Sequence, residues 1–215
     1  MEVMPIKYHE CEEWLLKIHY AKRLPSITHS YGLYEDNKLE GIVTYGSPPS
    51  PSLCIGICGA EYKDRVLELN RLCLLNNKKN QASFLVGNSL KLLPKPSIIV
   101  SYADTSMNHN GYIYQATNFI YTGLSDKRTE WRMIGSNQHS KTIVELYSLE
   151  ERQNNKDKFH MIDRPRKHRY IYFLGDKKQK KEMLSKLNYD VLPYPKGENK
   201  RYETDHIPTV QGVLF

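Results

Sequence analysis

Cysteine is scarce in this sequence, with four residues in 215: Cys11, Cys54, Cys58 and Cys73. Three of them lie inside apolar runs, which is typical of reduced thiols in a core and not of a disulfide framework. Cys54 and Cys58 are separated by three residues, whereas a structural zinc knuckle uses a C-x2-C spacing. The sequence therefore gives no support to a disulfide-rich secreted fold and little to a zinc site.

Long apolar runs, internal repeats and low-complexity segments are also missing. No window approaches the roughly 20 apolar residues of a membrane helix, and the amino-terminal "MEVMPIKYHECEEW" has no basic segment followed by an apolar one. The composition, with 40% hydrophobic and 26% charged residues, is that of a globular protein. We therefore expect a cytoplasmic protein that does not enter the membrane. At about 150 residues per domain, we expect one elaborated domain.

Positive charge is concentrated in the last third of the chain. The formal net charge is +7, and residues 163–169, 177–181 and 196–201 carry much of it. Such a basic flank is typical of a protein that binds a phosphate backbone. A solvated lysine-rich face would give the same composition.

Apolar periodicity predicts alternating helices and strands. The predicted helices cover residues 8–19, 80–94, 110–118 and 176–187. The predicted strands are a hairpin over 31–46 and single strands over 65–77, 96–104, 119–123 and 167–175. Residues 135–160 are polar and are predicted to be partly helical. This order is typical of an α/β domain with a mixed sheet. We assign residues 1–190 to this domain, with a basic strand-helix unit at 163–187, and residues 191–215 to an irregular tail.

The predicted strand over 65–77 carries polar residues in an apolar context. In a regular strand Glu68 and Asn70 share a face with Leu72, and Arg71 points to the opposite face. At least one face of the sheet is therefore expected to be polar here.

Several stretches, in this order along residues 10–124, resemble the Mom family of bacteriophage DNA-modification proteins. They are "HYAKRLPS" (19–26), "YGLYEDNKLEGIVTYGSPPS" (31–50), "LELNRLCLL" (67–75), "NQASFLVGNSLKLL" (80–93), "SYAD" (101–104) and "HNGYIYQATNFIYTG" (109–123). The resemblance implies a GNAT-like fold, with a mixed, mostly antiparallel central sheet flanked by helices. It also implies conversion of adenine in double-stranded DNA to N6-carbamoylmethyladenine, which protects phage DNA from restriction enzymes in the infected bacterial cell.

The resemblance implies a reaction centre at His19, Tyr20, Asp104 and Tyr114, with Arg71 as a further basic residue. Catalytic roles are expected for Asp104, Tyr114, Arg71 and His19, and iron binding for His19, Tyr20 and Asp104. Imidazole, carboxylate and phenol groups form a mixed nitrogen and oxygen donor set that suits iron. Asp104 could instead cap the following helix, and His19 could simply end the first one.

An acetyl-CoA-type acyl donor is also implied, because GNAT enzymes hold a pyrophosphate at the amino terminus of the helix after a splayed strand. The matching turn lacks the glycine-rich signature of ordinary GNAT enzymes, and a polar loop capped by Asn80 remains the alternative. The expected cofactor-binding residues are Lys78, Lys79, Asn80, Gln81, Ala82 and Ser83.

Adenine N6 is paired inside a duplex, so the base must leave the stack to react. Tyr112 would supply a stacking face, and Gln115 and Asn118 the hydrogen-bonding groups that suit adenine. The basic residues expected to bind double-stranded DNA are Arg164, Arg166, Lys167 and Arg169.

The carboxyl terminus "QGVLF" resembles the short peptide with which DNA-replication proteins bind the sliding clamp. Gln211, Leu214 and Phe215 would make that contact, and tethering would raise the local concentration of DNA. A terminal strand that pairs with the sheet is the alternative.

Two other functions remain open. A GNAT acetyltransferase that acts on a small-molecule or protein amine would work without DNA. A non-catalytic DNA-binding anti-restriction module would bind DNA without changing any nucleoside.

Overall fold

A seven-stranded mixed sheet forms the centre of the protein, which the computed structural model describes over residues 1–197. The strands, including two in a separate hairpin, are β1 (Glu2–Pro5), β2 (His29–Glu35), β3 (Lys38–Gly46), β4 (Val66–Leu74), β5 (Ser97–Asp104), β6 (Ile120–Leu124), β7 (Arg128–Met133), β8 (Phe159–Arg164) and β9 (Lys167–Leu174). The order across the central sheet is β1-β2-β3-β4-β5-β9-β6, and only β4 and β5 run parallel. The predicted mixed, mostly antiparallel sheet is confirmed.

Helices flank this sheet, as the periodicity predicted. They are α1 (Tyr8–Glu13), which continues into a π-helical turn (Trp14–Ile18), α2 (Pro51–Cys58), α3 (Gln81–Leu92), α4 (Tyr112–Ala116), α5 (Ser140–Leu146), α6 (Leu149–Asn154) and α7 (Lys177–Ser185). Helix α2 was not predicted, because "SPPSPS" was interpreted as a turn. In fact Ser50 accepts a hydrogen bond from the Leu53 amide, and Pro51 takes the first helical position, where its missing N–H costs nothing.

The core lies on both faces of the sheet. On one face, Leu85 and Val86 of α3 pack with Val43, Tyr45 and Ile99, and all five side chains are fully buried. On the other face, α2 and α7 cover a second buried cluster. Burial of each such side chain contributes roughly 1.5–3 kcal/mol, so this packing fixes the strands that carry the site.

A separate two-stranded sheet, β7 paired with β8, lies in the chain between β6 and β9. The sequence predicted only that residues 135–160 are polar and partly helical, and α5 and α6 agree with this. The hairpin itself was missed because "RTEWRM" carries two large apolar residues, Trp131 and Met133, and this alternation is too short to indicate a strand by itself.

The tail begins as an irregular segment against β6. The Leu192 amide donates to the Tyr121 carbonyl at 3.0 Å, and the Tyr194 hydroxyl donates to the Phe119 carbonyl at 2.7 Å. The predicted clamp-binding residues Gln211, Leu214 and Phe215 lie outside the described residues. Within residues 1–197, no helix has the length and apolar character needed to cross a bilayer.

Candidate active site

Strands β4 and β5 separate part-way along their length. Their parallel ladder runs from the Val66–Ile98 pair to the Leu69–Ser101 pair. Beyond that point residues 71–74 continue to pair with β3, and residues 102–104 continue to pair with β9. A wedge-shaped opening therefore forms between the carboxyl ends of the two strands, which is where α/β folds collect functional groups.

A β-bulge shifts the side chains on the β4 side of this opening. Tyr45 on β3 pairs with Leu69, and Thr44 pairs with Arg71, so Asn70 is an extra residue between them. The Asn70 side chain accepts a hydrogen bond from Thr44 Oγ1 at 2.6 Å. Its Nδ2 also donates to a backbone carbonyl outside the sheet, that of Ser26, at 2.7 Å. These two hydrogen bonds hold the bulge in place.

The bulge brings Glu68 and Arg71 to the same face of the sheet, because one extra residue reverses the alternation beyond it. The prediction that Arg71 points away from Glu68 was therefore wrong. Burial raises the pKa of the Glu68 carboxyl, and the charges of Arg71 and Lys167 oppose that shift. Glu68 is a functional candidate that sequence reasoning missed. Its only sequence signal was a carboxylate inside an apolar strand.

Asp104 is the last residue of β5 and the direct ladder partner of Lys167 on β9. Its Oδ2 lies 2.8 Å from Lys167 Nζ, and its Oδ1 accepts hydrogen bonds from the amide and hydroxyl of Ser106. Burial alone would raise the pKa of Asp104, but the charge of Lys167 and these hydrogen bonds outweigh it and lower the pKa. Asp104 thus caps the 3-10 turn Thr105–Met107, as the alternative interpretation proposed, and also forms an ion pair.

His19 and Tyr20 follow the π-helical turn and lie beside Arg71. Their rings stack, with centroids 4.5 Å apart. Burial, and then the charge of Arg71, lowers the pKa of His19 to about 3, so its imidazole is neutral near pH 7. Partial burial and the charge of Asp104 raise the pKa of Tyr20. The predicted residues His19, Tyr20, Arg71 and Asp104 are thus brought together at the opening.

Tyr114 on α4 approaches the point where the strands separate. The Ser101 hydroxyl donates to the Leu69 carbonyl at 2.9 Å, which joins the last paired residues of β4 and β5. Burial raises the pKa of Tyr114 to about 12, and a hydrogen bond with Ser101 opposes this shift. The Tyr114 phenol therefore stays protonated at the base of the opening.

Two of the three predicted iron ligands, His19 and Asp104, are already engaged within the protein in this arrangement. Both carboxylate oxygens of Asp104 already accept hydrogen bonds or pair with a cation. His19 Nδ1 accepts the Ala21 amide at 3.0 Å, which places the proton of the neutral ring on Nε2. Residues 1–197 contain no cluster of three or more histidine, cysteine or acidic residues placed to hold a metal. The iron prediction therefore receives no support.

The predicted cofactor turn precedes α3, as expected, but part of it is engaged within the protein. Lys78 Nζ pairs with Glu35 Oε2 at 2.7 Å, and the Lys78 amide donates to Gln81 Oε1 at 2.9 Å. Asn80 has a left-handed backbone (φ 68°) and makes no side-chain cap. The capping role suggested as the alternative for Asn80 is therefore wrong. Lys79, Ala82 and Ser83 lie in the same turn, and the binding role of this segment stays a prediction.

The predicted base-binding residues differ in their availability. Tyr112 is 60% exposed. Asn118 is exposed in a left-handed conformation after α4 (φ 62°). Gln115 Nε2, in contrast, lies within 3.3 Å of the Asn110 and Pro195 carbonyls and of the Tyr170 hydroxyl, so it holds the tail against α4. Its amide nitrogen is already used inside the protein.

The predicted DNA-binding cations also differ in their exposure and in the contacts that they already make within the protein. Arg169 is buried, donates to the Thr122 hydroxyl and carbonyl, and lies 3.4 Å above the Tyr189 ring. This contradicts the predicted contact of Arg169 with DNA. Arg166 donates to the Ser125 and Leu124 carbonyls, and Lys167 pairs with Asp104. Arg164 remains exposed.

Solved acetyltransferases resemble this chain at low sequence identity. One is NAA60 from Arabidopsis thaliana in complex with acetyl-CoA, at 13% identity over 80% of this chain and 98% of that chain, with a TM-score of 0.46. Another is yncA, a putative acetyltransferase from Salmonella typhimurium with acetyl-CoA, at 8% identity over 82% and 95% of the two chains, with a TM-score of 0.46.

Sequence comparison gives a more specific result. The chain is 27% identical over 190 residues to the methylcarbamoylase mom of Escherichia phage Mu, covering 83% of this chain and 76% of that protein. The profile of the Mom protein family matches residues 1–196. The resemblance inferred from the sequence motifs is thus confirmed, and the chain belongs to the Mom protein family.

Proposed function

We propose that this protein transfers a carbamoylmethyl or other acyl-derived group to N6 of adenine in phage DNA and so protects that DNA from host restriction. The observation that carries the proposal is the meeting of Glu68 and Arg71 from β4 with Asp104 from β5 and Lys167 from β9 at one opening. Its relative in phage Mu, named a methylcarbamoylase, supports the same chemistry.

The opening suits an extended acyl-CoA-type donor. Past Leu69 and Ser101, the backbone edges of β4 and β5 that face each other no longer share a ladder. Their N–H and C=O groups need other partners. An extended chain with amide groups of its own would supply them in the manner of an added strand. The reactive end of such a donor would then lie near Tyr114 and Asp104.

Transfer from a thioester-type donor forms a bond between N6 and the donor carbon and breaks the bond of that carbon to sulfur, so the thiolate leaves with the electron pair. Proton transfer is the next requirement, because the adenine N6 amine is delocalised into the ring and must lose a proton as it forms the new bond, and the thiolate can accept a proton. Asp104 has a lowered pKa and is paired with Lys167, so it is a weak base that is suited to orient the amine by accepting a hydrogen bond. Glu68, whose pKa is raised by burial, is the better proton acceptor. Tyr20 stays protonated and can donate a hydrogen bond to developing negative charge.

Mass spectrometry of nucleosides tests this proposal. DNA from cells that express the protein should contain a modified adenosine. Asp104→Asn and Glu68→Gln should lower its amount at least tenfold, whereas Asp190→Asn, at an exposed position, should not. Only unmodified adenine from the wild type would contradict the proposal. If DNA is bound without being modified, the protein is a non-catalytic module. If a small amine is acylated without DNA, it is a general acetyltransferase.

A further inference from the structure

The β7–β8 hairpin carries two arginines at directly opposed positions. Arg128 on β7 is the ladder partner of Arg164 on β8, so the two side chains leave the same face of the hairpin side by side. Both residues are exposed. Like charges directly opposite each other destabilise an antiparallel pair. A position of this kind is most easily explained if an anion occupies the space in front of both guanidinium groups.

The surrounding charges increase this positive potential. Glu130 is the carboxylate within the cluster, and its oxygens lie 2.5 Å from Arg132 Nη2 and 4.0 Å from Arg164 Nε. Arg23 is half-buried next to them. Burial, and then the charge of Arg164, lowers its pKa. Within residues 1–197, Arg23 and Arg128 have no carboxylate within 4.0 Å. One carboxylate thus serves several guanidinium groups.

This arginine cluster lies beside the reaction centre. Arg23 lies three residues after Tyr20 in the chain. Its charge acts to lower the pKa of Tyr20 and of Arg71. Arg164 lies three residues before Lys167, whose Nζ is 2.8 Å from Asp104 Oδ2. A polyanion held by the cluster would therefore pass the opening between β4 and β5.

We propose that Arg23, Arg128 and Arg164 bind the backbone phosphates of duplex DNA on either side of the target adenine. This inference rests on the proposed function, because it takes the adenine to be presented in a duplex. A guanidinium group binds phosphate through two parallel hydrogen bonds. Such hydrogen bonds would hold the neighbouring nucleotides while the adenine leaves the stack. The lysine-rich helix α7 is the alternative basic surface for this role.

The salt dependence of DNA binding distinguishes the two basic surfaces. We would measure the affinity of the full-length protein for a fluorescent duplex by anisotropy at several salt concentrations, without any donor. The slope of log K against log salt should fall by about 0.9 for each phosphate that is no longer neutralised, hence by about 1.8 for Arg128→Gln/Arg164→Gln. The matched variant Lys177→Gln/Lys178→Gln, which also removes two exposed cations, should keep the wild-type slope.

Thermal unfolding and coenzyme A binding are two further tests of the arginine surface. Thermal unfolding should show the Arg128→Gln/Arg164→Gln variant to be at least as stable as the wild type, because a like-charge pair is removed. If that variant unfolds, Arg23→Gln should give a slope lower by about 0.9. Binding of coenzyme A distinguishes DNA phosphates from those of a donor. Its loss in the arginine variants, with an unchanged DNA slope, would overturn the proposal.

The remaining outcomes separate this inference from the proposed function. A wild type that binds no duplex at any salt concentration would contradict both. The wild type could modify adenine while the arginine variants bind DNA with the wild-type affinity and salt slope. That result would contradict the arginine surface and leave the proposed function intact. A lower slope in the Lys177→Gln/Lys178→Gln variant instead would assign DNA binding to α7.

Discussion

Asp104 and Lys167 are ladder partners whose side chains meet at 2.8 Å, although 62 residues of chain separate them. The ion pair spans β5 and β9 at the candidate active site. It keeps Asp104 ionised in a place where burial alone would favour the neutral acid.

Lys167→Met should leave the Asp104 carboxylate partly buried without its cation. Its pKa should then rise, because burial remains, and stability at pH 7 should fall by about 1–3 kcal/mol. In the wild type, the lowered pKa of Asp104 stabilises the fold above the pKa of the unfolded chain, and this contribution is lost as the pH falls through the folded value. Urea unfolding should therefore show a larger deficit for Lys167→Met at pH 7 than at pH 3. An equal loss of stability at both pH values would show that Lys167 does not lower the pKa of Asp104.

His19 should make the fold sensitive to acid. Its pKa of about 3 in the folded protein lies below the value of about 6.5 in an unfolded chain, so between these values only the unfolded state binds the proton. Stability should therefore fall by up to about 1.4 kcal/mol per pH unit as the pH decreases from 6.5 towards 3. His19→Gln should flatten this dependence in unfolding titrations, whereas His9→Gln, at an exposed position, should follow the wild type. Identical pH curves for all three proteins would exclude the effect.

Asn70→Ala should weaken the β4 bulge. The substitution removes the hydrogen bonds to Thr44 and to the Ser26 carbonyl, at about 1 kcal/mol each. We expect a loss of about 2 kcal/mol in unfolding free energy and lower DNA modification, because Arg71 would lose its fixed position. Asn76→Ala is the control, since its hydrogen bond with Glu40 is exposed, and it should change stability by less than about 0.5 kcal/mol. Full activity in the Asn70 variant would show that the bulge does not position the site.

Two glycines give opposite predictions for the same substitution. A Cβ at Gly46 would lie 1.9 Å from the Ser26 carbonyl oxygen, which belongs to the backbone segment after Tyr20 and Arg23. Gly46→Ala should cost about 1–3 kcal/mol and displace that segment. Gly87 in α3 has no atom within 4 Å of such a Cβ, so Gly87→Ala should stabilise the protein by about 0.5–1 kcal/mol. Thermal unfolding of both variants measures the contrast, and a stabilised Gly46→Ala would contradict the packing.

The central strands and helices were predictable because their signal is local. α3 and β5 combine a clear apolar period with a boundary residue at each end, and their bounds came within two residues. The order of elements, with the motifs around Asp104 and Tyr114, was also enough to identify the family. The gathering of His19, Tyr20, Arg71 and Asp104 then depended on that resemblance, since no spacing in the sequence brings residues 19 and 104 together.

The features that the sequence did not predict depend on pairing between distant segments of the chain. The bulge at Asn70 arises from the register between β3 and β4, so the alternation of β4 alone placed Arg71 on the wrong face. Glu68 was overlooked for the same reason. Arg169 was grouped with exposed cations because the sequence does not reveal Thr122 and Tyr189 as its partners. The apolar alternation of β7, limited to Trp131 and Met133, is too short to indicate the β7–β8 hairpin without its pairing to Met161 and Phe159.

The strand order also determines when the candidate site can first be complete during synthesis. β9 lies between β5 and β6, yet it is the last strand to be synthesised among the described residues. Until residues 167–174 have left the ribosome, β6 has no neighbour in the sheet and Asp104 has no counter-ion. A chain that stops short of β9 therefore lacks the Asp104–Lys167 ion pair and the strand that joins β6 to the sheet.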